Sequence, residues 1–135
     1  MKLTLKNSIF GVVLAVSNLA QANGGYVYFE APLEDQIVKS PVKVIFGLAG
    51  KKIGPVGDLN PDLGHHHLII NGGPIPTGKP VPADAQNIHY GKGQTETTLN
   101  LSPGDYQLTL QFANGAHQSF GPEMSKTVRI TVVKP

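Results

Sequence analysis

Three consecutive histidines, His65, His66 and His67, head the most apolar stretch of the chain, Leu63-Gly64-His65-His66-His67-Leu68-Ile69-Ile70-Asn71. All five histidines fall between positions 65 and 117, the two methionines are Met1 and Met124, and there is no cysteine. Imidazole and thioether donors without thiolate suit late first-row metals, with copper as the first expectation and zinc as the second. If the stretch is a strand, its side chains alternate, so His65 and His67 share one face and His66 takes the other. Residues i and i+2 lie about 6.5 to 7 Å apart, close enough for two rings to converge on an ion at about 2 Å from each. His66 shares its face with Leu68 and Ile70. It therefore reads as a buried ring behind the ligands, bonded to a backbone carbonyl.

Four further residues complete the candidate set. His89 stands in a polar stretch that continues through Gly91-Lys92-Gly93 to Gln94-Thr95-Glu96-Thr97. Glu96 is the carboxylate expected to orient a ligating ring, the usual arrangement at metal-bound histidine. His117 and Met124 bracket a loop just before the last strand, and the pair would favour Cu(I). The bland alternative is equally concrete: His65 and His67 as structural rings, His117 exposed and Met124 a core filler. The ligating form is neutral imidazole, ordinarily titrating near 6.5, so binding is expected to weaken below about pH 6.

The elements that must hold these residues read as strands almost throughout. Tyr26-Val27-Tyr28-Phe29 and Gln36 to Lys39 are short extended runs ended by Ala31-Pro32 and Ser40-Pro41. Val42, Val44 and Phe46 alternate with Lys43 and Ile45. The same period of two puts Thr97, Leu99 and Leu101 on one face, then Tyr106, Leu108, Leu110 and Phe112, then Val128, Ile130 and Val132. The Leu-Ile-Ile run after the histidines predicts burial on both of its faces. No window carries helical spacing, and 16 glycines with 11 prolines punctuate the strands. An all-β antiparallel sandwich follows, immunoglobulin-like or cupredoxin-like, with Phe46, Leu99, Leu108, Leu110, Val128 and Ile130 in its core. In Leu101-Ser102-Pro103-Gly104-Asp105-Tyr106 a turn leads into a tyrosine two residues before buried Leu108, the pattern of a tyrosine corner. Two loops of roughly 15 residues, 50–64 and 73–87, flank the triple-histidine strand. Loops that long are uncommon unless functional or disordered, and these read as walls of a site.

Residues 1–22 read as a cleaved export signal. Lys2 and Lys6 precede an apolar run from Ile9 to Val16, and Ala20-Gln21-Ala22 is a small-x-small cleavage pattern. That run is too short to span a bilayer, so a periplasmic or secreted domain over 23–135, without membrane insertion, is expected. Of the 11 basic residues, two leave with the leader, and the remaining nine balance nine acidic ones. A neutral surface without a Lys/Arg cluster argues against nucleic acid as a partner.

An enzyme is not expected. The chain has no Gly-x-Ser-x-Gly elbow, and no His-Glu-x-x-His on a helix. Two functions from different classes stand: a metal-binding module using His65, His67 and His89 with His117 or Met124, and an envelope module that contacts a protein or glycan while its histidines are structural. Converging imidazole nitrogens would favour the first, scattered ones the second.

The segments Ser40-Pro41-Val42-Lys43-Val44, Gly64-His65-His66-His67-Leu68-Ile69-Ile70, Pro80-Val81-Pro82-Ala83-Asp84, Ile88-His89-Tyr90-Gly91-Lys92-Gly93-Gln94-Thr95-Glu96-Thr97 and Leu101-Ser102-Pro103-Gly104 resemble the family DUF4399, a bacterial domain of unknown function. The resemblance spans nearly all of 23–135 and implies an exported β domain, without an assigned activity. Members of that family often carry more histidine before the last strand, where this chain has only His117 in Asn114-Gly115-Ala116-His117.

Overall fold

The structure is a computed structural model that describes residues 25–135. The expected export signal lies outside the described residues. Among the described residues nine strands run β1 (Tyr26–Ala31), β2 (Gln36–Lys39), β3 (Val42–Ala49), β4 (Lys52–Ile53), β5 (Leu63–Ile70), β6 (Asn87–Tyr90), β7 (Glu96–Leu99), β8 (Gly104–Ala113) and β9 (Ser125–Val133). The only helical piece among the described residues is a single 3-10 turn, Pro122–Met124. No helix there is long and apolar enough to cross a membrane.

Two sheets form a sandwich-like arrangement. One has the order β1-β3-β7, and the other runs β2-β9-β8-β5-β4 with β6 also paired to β5. Period-two alternation decides which side chains meet between them. From the smaller sheet come Val27, Phe29, Val42, Val44, Phe46 and Leu99, and from the larger come Leu68, Leu108, Leu110, Phe112, Val128, Ile130 and Val132. All six residues predicted for the core are buried. Each such side chain contributes about 1.5 to 3 kcal/mol when taken from water, and this burial holds a chain without disulfides. The Tyr106 hydroxyl donates to the Ser102 carbonyl at 2.8 Å, closing the expected corner over its own turn.

Two pairings escaped the sequence pattern. Strand β2 runs parallel to β9, Gln36 opposite Ile130, and β4 runs parallel to the start of β5. The second arises because loop 50–64 folds back, with Gly54 N–H donating to the Gly64 carbonyl at 2.8 Å.

The outer face of β5 and β8 is covered by chain as well. Gln111 is fully buried there; its amide donates to the carbonyls of Gly121 (3.0 Å) and Met124 (3.3 Å), and its oxygen accepts from Ile75 N–H at 2.9 Å. Thr109 donates to the Gly72 carbonyl and Ser119 to the Ile75 carbonyl. These bonds fasten the proline-rich loop and the loop 114–121 across the strand face, which removes His65 and His67 from solvent.

Candidate metal centre

Four of the five histidines meet on that covered face. His65 and His67 project outward from β5 and are completely buried. His89 lies directly opposite His67 across the β5–β6 pair, where facing side chains approach within about 5 Å at Cβ. After Ala113, which pairs with His65, the chain leaves β8, turns back and presents His117. Its backbone is held in the left-handed region at φ 60° by a tight turn. There the Asn114 side chain accepts from Ala116 and Gln118 N–H, and His117 N–H donates to the Asn114 carbonyl.

The rings converge. Centroid separations run from 4.6 Å for His65–His89 to 5.7 Å for His67–His117. One nitrogen from each of His65, His67, His89 and His117 lies within 4.8 Å of the others. His65 Nε2 and His117 Nδ1 share a hydrogen bond of 3.2 Å. Two nitrogens each 2.0–2.1 Å from a tetrahedral ion stand about 3.3 Å apart, so this pair already has the spacing of two ligands. The remaining nitrogens need shifts of about an ångström, within the reach of ring rotation.

Burial keeps His65 and His67 neutral. His65 is pushed down to about 4 and His67 to about 3, chiefly by loss of water and then by the neighbouring imidazoles. His89, half-buried, is lowered by the same two causes. Proton competition at the buried pair therefore sets in well below the pH 6 expected from an ordinary imidazole. Outside the His65–His117 bond these nitrogens lack partners: His65 Nδ1, both nitrogens of His67 and Nε2 of His89 are buried without one. An unmet buried polar atom costs about 1 to 3 kcal/mol. Lone pairs left in this state, on neutral rings that face one another, are the donor set a borderline transition metal requires.

The other sequence candidates fall elsewhere. Glu96 is no orienting carboxylate: it begins β7 in the opposite sheet, is exposed, and pairs with Lys43 at 3.5 Å. The Gly91–Gly93 turn carries the chain from β6 across to that sheet, so closeness to His89 in sequence does not persist in space. Met124 is buried in the apolar core cluster, where its thioether packs among aliphatic and aromatic side chains. His66 faces inward with Leu68 as expected, but no carbonyl accepts from it. Its ring sits edge-on to Phe46 (4.9 Å) and Phe112 (5.1 Å), with both nitrogens unpartnered.

Sequence reasoning missed the residues that shape the site. Gly91 lies against the His89 ring, where an added Cβ would come within 2.4 Å of Cε1. Gly115 has no room for a Cβ because the Asp58 backbone fills that space, and Gly57 N–H donates to its carbonyl. Nothing in the sequence marked Gln111, whose polar character at an outward position reads as exposure. Both long loops do border the site, through Gly57–Gly115 and through Val81 N–H, which donates to the His117 carbonyl at 2.8 Å.

The family model described as "Domain of unknown function (DUF4399)" matches residues 44–133, 90 of the 135 positions. The chain belongs to the DUF4399 family. No curated protein and no solved structure matches it. The matched span of this DUF4399 domain includes all four converging histidines.

Proposed function

We propose that this DUF4399 protein is an exported, non-catalytic module of immunoglobulin-like build that binds one transition-metal ion through His65, His67, His89 and His117. The observation that carries the reading is the convergence of four imidazoles with nitrogens inside 4.8 Å. Four of their eight ring nitrogens are buried without a hydrogen-bond partner; His66 shares that lack in the core, and what sets these four rings apart is that they converge on one point. That weighs against the envelope interaction module. Copper is the first metal because an all-nitrogen set binds it most strongly among the divalent ions, and zinc is the second. The basic, apolar, small-x-small leader supports export, and the Tyr106 corner supports the immunoglobulin-like subtype. The test is calorimetric titration of untagged protein with Cu(I), Cu(II) and Zn(II). One ion should bind per chain, and His65→Ala and His67→Ala should each weaken binding at least about tenfold with the fold intact. Binding no tighter than micromolar for all three metals defeats the proposal.

A further inference from the structure

The four histidines are not equivalent in how the chain holds them. His65 and His67 sit side by side on a central strand and are completely buried, whereas His89 and His117 are each partly exposed. His89 is confined: it lies on β6, opposite His67, and its ring is wedged against Gly91, which Val56 also approaches. His117 alone stands on a loop. Its backbone is pinned at both polar atoms, N–H to Asn114 and carbonyl to Val81, so the ring is the part free to turn. That ring shares a hydrogen bond with His65. Whichever ring donates, one lone pair that an ion would use is engaged by a proton instead.

Building on the metal-binding reading, we infer that His117 is the exchangeable ligand of the site. Metal enters and leaves by trading places with the His65–His117 hydrogen bond. On binding, the donating ring moves its proton to its own other nitrogen, His65 Nδ1 or His117 Nε2, and both facing nitrogens become neutral imidazole ligands, needing little change in their 3.2 Å separation. On release, the His117 ring turns away, an incoming donor occupies its place on the ion, and the ring afterwards re-forms its bond to His65. His65, His67 and His89 hold the ion while this happens. Such a site passes its metal to another donor and does not lock it in.

The test follows ion release by stopped flow after mixing the Cu(I)-loaded full chain with excess chromogenic Cu(I) chelator, repeated with Zn(II) and a zinc chelator. His117→Ala should still hold one ion per chain and release it at least about tenfold faster than the wild type. Added imidazole should slow that release, because the vacated position opens to solvent. His67→Ala should lose the ion, and imidazole should not restore it, because that position is sealed. Circular dichroism and thermal melts establish that each variant is folded, and His117→Gln provides a second variant should His117→Ala disturb the turn. Wild-type binding with variant release within about twofold of normal, or release that imidazole leaves unchanged, overturns the exchange role alone. A wild-type chain that binds neither metal removes the metal site, and this inference with it.

Discussion

His66 offers the sharpest separation of packing from binding. Its ring lies in the core, pairs with Phe112 across β5–β8 and contacts Phe46, with about 1% of its surface exposed and neither nitrogen bonded. Two effects oppose each other there. The ring fills space, and truncation to alanine should cost about 2 to 4 kcal/mol, the range of large-to-small core changes. Its two orphan nitrogens cost stability as well, at about 1 to 3 kcal/mol for an unmet buried polar group. His66→Leu keeps most of the volume and removes the nitrogens. It should therefore be neutral or stabilising by up to about 2 kcal/mol, while His66→Ala destabilises. Urea denaturation of the metal-free protein at pH 7 measures both. Neither change should alter metal affinity by more than about twofold once the variant is folded, because the ring faces away from the four converging nitrogens. Should His66→Leu destabilise as much as His66→Ala, the imidazole has a polar partner and the reasoning fails.

Three further perturbations follow. His65 and His66 are pushed down to about 4 and His67 to about 3, mainly by burial, whereas an unfolded chain's imidazole titrates near 6.5. Above pH 6.5 both states are neutral and stability is complete. As pH falls toward 4 the unfolded chain takes up protons that the folded one refuses, and each ring removes at most about 1.4 kcal/mol per pH unit. Urea midpoints of metal-free protein that stay flat from pH 7 to pH 5 would contradict this. Gly91→Ala puts a Cβ 2.4 Å from the His89 ring at a position whose φ is not left-handed. The fold should persist while metal affinity falls at least about tenfold in a chelator competition, and unchanged affinity would remove His89 from the site. Gln111→Leu deprives Ile75 N–H and the Gly121 carbonyl of their partners, which should cost about 2 to 4 kcal/mol in denaturation and speed hydrogen exchange at Ile75. A loss below about 1 kcal/mol would mean the covering loops are held by other means.

The period-two alternation carried the fold a long way. Val42-Val44-Phe46, Leu108-Leu110-Phe112 and Val128-Ile130-Val132 all turn inward as their spacing requires, and the same rule put His66 opposite His65 and His67. Alternation says nothing of which strands are neighbours, so the parallel pairing of β2 with β9, across more than 90 residues, could not be read. It also could not say where a turn sends the chain. Glu96 lies seven residues beyond His89 in sequence yet on the other sheet, and Met124 points into the core from a 3-10 turn. His117 was legible only as a donor type. Its meeting with His65, 52 residues away, depends on a left-handed turn built by Asn114 and buttressed by the Gly57 and Val81 backbones. Those contacts are made by loops, whose paths follow from hydrogen-bond closure and leave no periodic trace.

X-ray absorption spectroscopy of the untagged chain loaded with one equivalent of copper, and then of zinc, tests the central claim most directly. Four converging imidazoles should give a nitrogen shell at about 2.0 Å with the multiple-scattering signature of histidine, and no sulfur near 2.3 Å, because Met124 is committed to the core. The same spectrum from the His65→Ala/His67→Ala double variant should lose that signature. A shell of oxygen donors, a sulfur contribution, or an imidazole pattern that survives the double substitution would contradict a metal centre built from His65, His67, His89 and His117.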